Sequence, residues 1–169
     1  MSFAICVSPE HSLPGHVERP ERVEAVASAL RRSLLDEPPT TDRLASREKL
    51  VLVHSSDLID RLEAIEIGPD VKERHVVLAD EDDPDGVTYA TSTSYRDARR
   101  AVGAVLDLVD SVYGVFGSES GMSKAFAAIR PPGHHCTRSK SMGFCLVNNV
   151  AVAVAYARKR HGANAVLIV

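Results

Sequence analysis

Two histidines stand side by side in this chain, and their neighbours suggest what they could do. His134 and His135 follow Pro131, Pro132 and Gly133, a stiff turn able to hold both rings toward one pocket. Adjacent imidazoles in different surroundings keep different pKa values, so one can serve as general base while the other acts as acid partner or electrostatic support. From the dipeptide alone a pair of exposed loop histidines is the commoner reading, and both readings stay open at this point. Cys136 and Cys145 raise a third, a zinc cluster with the two histidines. Spacing argues against it, because adjacent side chains rarely converge on one tetrahedral ion and neither Cys-x-x-Cys nor His-x-x-x-His occurs.

Other chemistries drop out on similar grounds. The GSESG stretch places Glu119 where a Gly-x-Ser-x-Gly nucleophile would stand, and no phosphate-cradling glycine loop is found. EDDPDG starts like a calcium loop, but its register puts Ser92 at the position of the bidentate Glu. His16 and His54 stand alone and read as structural residues.

The elements that must position the histidine pair follow from periodicity. FAICVS (3–8) reads as a short strand. Val23, Val26, Ala27, Leu30 and Leu34 recur at helical spacing after Pro20. LVLVH (50–54) reads as a buried strand, and DLIDRLEAI as a short helix ending before Gly68 and Pro69. Ala98, Ala101, Val102, Val105, Val109 and Val112 line one face of a helix over 95–112. A strand over 124–129 then delivers the chain to the histidine loop. The segment 146–160 reads as a well-buried helix, rich in Ala and Val on nearly every side and closed by Gly162. ANAVLIV (163–169) has the continuous β-branched run of a central parallel strand. Strands alternating with helices make an α/β sheet, whose ligands gather outside the carboxyl ends of the strands.

At 169 residues the chain suits one domain, and 44% apolar with 25% charged residues is the composition of a soluble globular protein, not of a disordered one. A net charge of -3, with Lys and Arg scattered, gives no electrostatic case for direct nucleic-acid or membrane binding. Three cysteines without a secretory signal point to a reducing intracellular compartment, cytoplasm or nucleus. An organellar address, if the protein has one, lies outside these residues.

RPPGHHCTRSKSMGFCLVNNVAVAVAYA closely resembles the RPPGHHA…GFC.FNNVA.AA signature of zinc-dependent histone deacetylases and their bacterial relatives, the acetylpolyamine amidohydrolases and acetoin-utilisation-type proteins. PGHVERPERVEAV is similar to the family's GHPERPERL, and VHSSDLIDRL and DGVTYATSTSYRDARRAVGAVLDLVD match further segments in order. The Arg-Pro-Pro-Gly-His-His form resembles the class II and bacterial branch more than class I. The resemblance implies an arginase/deacetylase-like three-layer α-β-α fold with a mainly parallel sheet, and zinc-assisted hydrolysis of acetyl-lysine-like amides in proteins or polyamines. It implies that His135 is the general base and later acid, and that His134 holds the water and stabilises charge. Gly143 and Phe144 match the wall of the substrate channel. Cys136 replaces the usual Ala, and Val17 the Pro of GHPERP.

The family's Asp-x-Asp-x-His-His-Gly, which carries zinc ligands, follows its V-L-I-V strand, whereas these residues stop at Val169. Residues 1–169 are therefore expected to be the N-terminal part of one such domain, truncated after a central strand. By itself the chain is expected to bind no catalytic zinc and to be inactive, a pseudoenzyme candidate, with another chain or the missing half lying against Ala163–Val169. A non-catalytic structural or interaction subunit is the alternative, and an acyl-lysine binding module ranks last because half a channel binds poorly.

Overall fold

The computed structural model describes residues 2–6, 8, 11–33, 42–67, 76–78, 88–115 and 123–169. In chain order the elements are β1 (Ser2–Cys6), α1 (Pro20–Ser33), α2 (Arg47–Leu50), α3 (Ser56–Ile67), β2 (Val76–Val77), β3 (Tyr89–Ala90), α4 (Ser94–Val112), β4 (Ala125–Ile129) and α5 (Asn149–His161). EDDPDG and GSESG lie outside the described residues.

β1 and β4 pair in parallel, from Ser2 opposite Ala125 to Cys6 opposite Ile129. Side chains alternate across a strand, so the sheet presents two faces to two partners. Ala4, Cys6, Ala127 and Ile129 pack on Ala104 and Leu108 of α4, while Ile5 and Ala128 pack on Val23 and Ala27 of α1. Helix, sheet and helix thus form three layers, an α/β arrangement in which the carboxyl end of β4 opens into the histidine loop. β2 and β3 form a separate antiparallel pair.

Helix α1 opens on Pro20, whose missing N–H is no loss at a first helical position, and carries Glu21 in its first turn with Arg31 and Arg32 in its last. Helix α4 is buried on more than the one face its periodicity suggests. The sheet covers Ala104 and Leu108, and the largest apolar cluster, which includes residues of α3 and α5, takes up Ala98, Val102 and Leu106. In that cluster Leu50, Ile59, Leu62, Leu106 and Leu146 are at most 1% exposed. Each such side chain contributes about 1.5–3 kcal/mol through burial.

Three expected elements differ. LVLVH is not a strand: α2 ends at Leu50, and a turn follows in which the N–H groups of Val53 and His54 donate to Leu50 O at 3.1 and 2.9 Å. A short apolar run has the same pattern in a buried strand and a buried helical turn, and here the turn sends Leu50 into the core. Helix α5 is covered on one stripe only. Asn149, Val152, Tyr156 and Ala157 are buried, whereas Val150 is exposed beside β4. Residues 163–169 form no strand, because a strand exists only through its ladder and they have no pairing neighbour among the described residues. Leu167 and Ile168 are 85% and 63% exposed. The predicted stop at Gly162 is present, with φ 70° and its N–H bonded to Ala157 O.

Candidate active site

The histidine loop is clamped at both ends before it does anything. At its start Arg130, the residue after β4, is completely buried. Its Nη1 donates to Ser8 O at 2.7 Å and to His11 O, and its Nε donates to Glu18 Oε1 at 3.1 Å. Nη2 lies 2.8 Å from Glu18 Oε2. The Ser8 hydroxyl returns a bond to Arg130 O at 3.0 Å. One guanidinium thus fastens the loop between β1 and α1 to the end of β4, an arrangement suited to its planar fork of donors.

At the far end Asn148 serves two structures at once. Its Oδ1 accepts from Ala151 N–H at 2.9 Å and caps α5, while its amide donates to Cys136 O at 3.0 Å and to His134 O at 3.3 Å. Its own N–H donates to His54 Nε2 at 2.9 Å. An accepting Nε2 leaves the proton on Nδ1, which bonds Thr137 O at 3.0 Å. Burial pushes the His54 pKa down, which favours this neutral bridging form. His54 is a strut between the turn after α2 and the loop, in agreement with its sequence reading.

Between the clamps, Met142 and Cys145 exchange both backbone hydrogen bonds around Gly143 and Phe144. Gly143 has φ 57° and Phe144 φ 66°, two consecutive left-handed residues, as a type I′ turn requires. Gly143 tolerates this, and it also makes room, since a Cβ there would sit 2.7 Å from His135 Cγ. Phe144 gains no such relief, and a bulky residue in this region costs about 1–3 kcal/mol. Its N–H donates to Thr88 Oγ1 at 3.0 Å, and its ring meets His16 edge-on at 4.9 Å. His16 also meets Tyr89 edge-on at 4.9 Å, and Tyr89 stacks on His11 at 4.7 Å.

His134 and His135 are both exposed, with ring centroids 4.2 Å apart and planes tilted by 45°. The four residues singled out from the sequence, His134, His135, Gly143 and Phe144, therefore come together in one patch. A mostly apolar cleft of about 400 Å³ lies on the other side of His134, against Val23, Val26, Phe126 and Val150.

A zinc ion does not fit these residues as a complete site. Among the described residues no group of three or more His, Cys, Asp or Glu side chains is placed to share a metal. Cys136, one sulfur of the cluster weighed above, is buried with its Sγ 2.9 Å from Lys140 O, and burial pushes its pKa up to about 12. It is held as a thiol, whereas zinc needs the thiolate.

The sequence reading missed the supports. Arg130 stands inside the quoted motif, but its role depends on Ser8, His11 and Glu18, more than 100 residues away in the chain. Thr88 and Asn148 carried no chemical signature of their own. An Asn directly before a helical run is a recognisable cap signal, and it was the one available clue.

Comparison with known proteins adds an independent line. The histone deacetylase domain model matches residues 16–169. Histone deacetylase 6 of Caenorhabditis elegans is 38% identical over 156 residues, which is 90% of this chain and 16% of that protein. The polyamine deacetylase HDAC10 of Homo sapiens is 36% identical over 155 residues, 90% of this chain and 22% of that protein. Among solved structures, the HDA15 HD domain superposes with a TM-score of 0.72 at 28% identity, covering 94% of this chain and 44% of that one. The chain thus spans less than half the length of each of these proteins.

Proposed function

Because the chain belongs to the histone deacetylase domain family, with the arginase/deacetylase fold of that family, we propose that it supplies the proton-transfer pair and the aromatic channel wall of an amidohydrolase acting on acetylated lysine or polyamine amides. The observation that carries this reading is the convergence of His134, His135, Gly143 and Phe144 on one turn-and-loop patch. His135 takes the proton from the attacking water and later delivers it to the leaving amine nitrogen. His134, its ring 4.2 Å away, holds that water and stabilises the developing charge. Phe144 lies along the methylene stem of the substrate, an apolar contact suited to a long alkyl side chain.

Polarising the amide carbonyl, the task of zinc in the related enzymes, is assigned to none of the described residues. In this reading the metal and its ligands come from outside the chain, and the 169 residues alone turn over no substrate. Three buried free thiols suit a reducing intracellular compartment. A second reading, a non-catalytic interaction subunit, draws on the exposed Val166–Val169 run, which is suited to pairing with a strand of another segment or chain.

The test is hydrolysis of an acetyl-lysine peptide and of an acetylated polyamine by the product of the native reading frame, by its His135→Ala variant and by the 169-residue chain. We expect H135A to lose about 10²–10⁴ in kcat, the range for general acid–base catalysis, and the short chain to be silent. Native activity that survives H135A within about threefold, or turnover by the short chain, refutes the assignment; a silent native product favours the interaction subunit.

A further inference from the structure

Phe144 holds a backbone conformation that its side chain disfavours, and the residues that secure it come from a distant part of the chain. In a type I′ turn the two closing bonds involve Met142 and Cys145, which leaves the N–H of Phe144 without a partner inside the turn. Thr88, fully buried, takes that bond on its hydroxyl at 3.0 Å. Its own backbone is anchored, because its carbonyl accepts from Leu78 N–H at 2.7 Å beside the β2–β3 pairing. The next residue is linked to the Phe144 ring through His16. Tyr89 meets His16 edge-on, and His16 meets the Phe144 ring at 4.9 Å. Thr88 therefore holds the main chain of Phe144, and Tyr89 backs its ring through His16.

We propose that Thr88 is a positioning residue that pins Phe144 in its left-handed conformation and, together with the His16–Tyr89 contact, sets the width of the substrate channel and so the affinity for a linear acylated side chain. The proposal rests on the reading of Phe144 as a channel wall. Thr88→Val keeps the shape of the side chain and removes the acceptor, whereas Thr88→Ser keeps the hydroxyl and removes a methyl group.

Both variants are made in the native protein and read in two ways. The first is amide hydrogen exchange at Phe144, with the ring-to-ring cross-peaks between His16 and Phe144. T88V is expected to speed that exchange about tenfold and weaken the cross-peaks, and T88S to restore both, as the loss and return of one buried hydrogen bond predict. The second is steady-state kinetics on an acetyl-lysine peptide. A wall that touches the substrate stem equally in ground and transition states predicts that T88V raises KM about tenfold with kcat within about twofold. Unchanged exchange in T88V, or a T88S variant as perturbed as T88V, overturns the pinning role. Faster exchange with KM unmoved leaves the pinning in place and overturns Phe144 as the wall.

Discussion

Replacing Arg130 by Met should show how much of the site depends on a single buried charge. The guanidinium is 0% exposed and the Glu18 side chain 6%, with an Nη2 to Oε2 distance of 2.8 Å. Methionine fills much of the space but leaves Glu18 with only the half-exposed Arg22 guanidinium, 3.1 Å from Oε1, as a cation, and it also strips charged donors from Ser8 O and His11 O. Removing one member of a buried ion pair costs about 3–5 kcal/mol, a range within which the two orphaned carbonyls raise the loss and the remaining Arg22 cation lowers it. A single domain typically holds about 5–15 kcal/mol in all, so the loss is a large share of the total. At this size each kcal/mol moves the melting temperature by about 2–4 °C, which predicts a drop of roughly 6–20 °C in thermal unfolding followed by circular dichroism. The double variant R130M/E18M removes the buried carboxylate as well and should recover part of the loss, a coupling of at least about 1 kcal/mol in urea titrations. A cost below about 1 kcal/mol for R130M, or strict additivity in the double variant, refutes the claim that this pair holds the loop.

Two further perturbations separate the loop's other supports. Asn148→Ala removes both the cap of α5 and the amide bonds to His134 O and Cys136 O, for an expected loss of about 1–3 kcal/mol, whereas Asn148→Asp keeps a capping oxygen and should lose about half as much. An Asn148→Asp variant as stable in chemical denaturation as the native protein would mean that the amide does not brace the loop. Acid should also unfold the protein through its buried histidines. Burial first, and the Arg130 charge second, lower the His11 pKa to about 3, and burial lowers that of His54, so the unfolded chain takes up protons that the folded one refuses. The His11 contribution is complete above the ordinary histidine pKa near 6.5 and is lost as pH falls from there toward about 3, at roughly 1.4 kcal/mol per pH unit, and that of His54 falls in the same direction. Urea midpoints at pH 7.5 and 5.5 measure the slope, and His11→Gln should flatten it. An unchanged slope in that variant counts against His11 as a source.

The sequence carried the helices well wherever a long amphipathic period or a punctuating residue marked them. Pro20 opens α1, Gly162 closes α5, and the predicted 95–112 helix differs from Ser94–Val112 by one residue. It failed where an element is defined by what lies beside it. LVLVH has the composition of a strand, yet it closes a helical turn instead; ANAVLIV likewise has no pairing neighbour among the described residues. The four candidate site residues were legible because they cluster within eleven positions of the chain. Their supports were not, because Arg130, Thr88 and His16 act through contacts that no local pattern encodes.

Those long-range supports also fix an order of assembly. Arg130 reaches back 119 to 122 residues to His11 and Ser8, Asn148 reaches 94 to His54, and Phe144 reaches 56 to Thr88. Chains dominated by such separations fold slowly, because the closure entropy of each loop is spent before its contact is made. On a ribosome adding about 5–20 residues per second, β1 waits roughly 6–25 s for β4 to emerge. Throughout that interval β1 has no ladder, and until Ser94–Val112 has been made Ala4 and Cys6 lack the α4 layer as well, which leaves apolar surface open to aggregation. The histidine pair is organised only once β4 and the Asn148 cap have both been made.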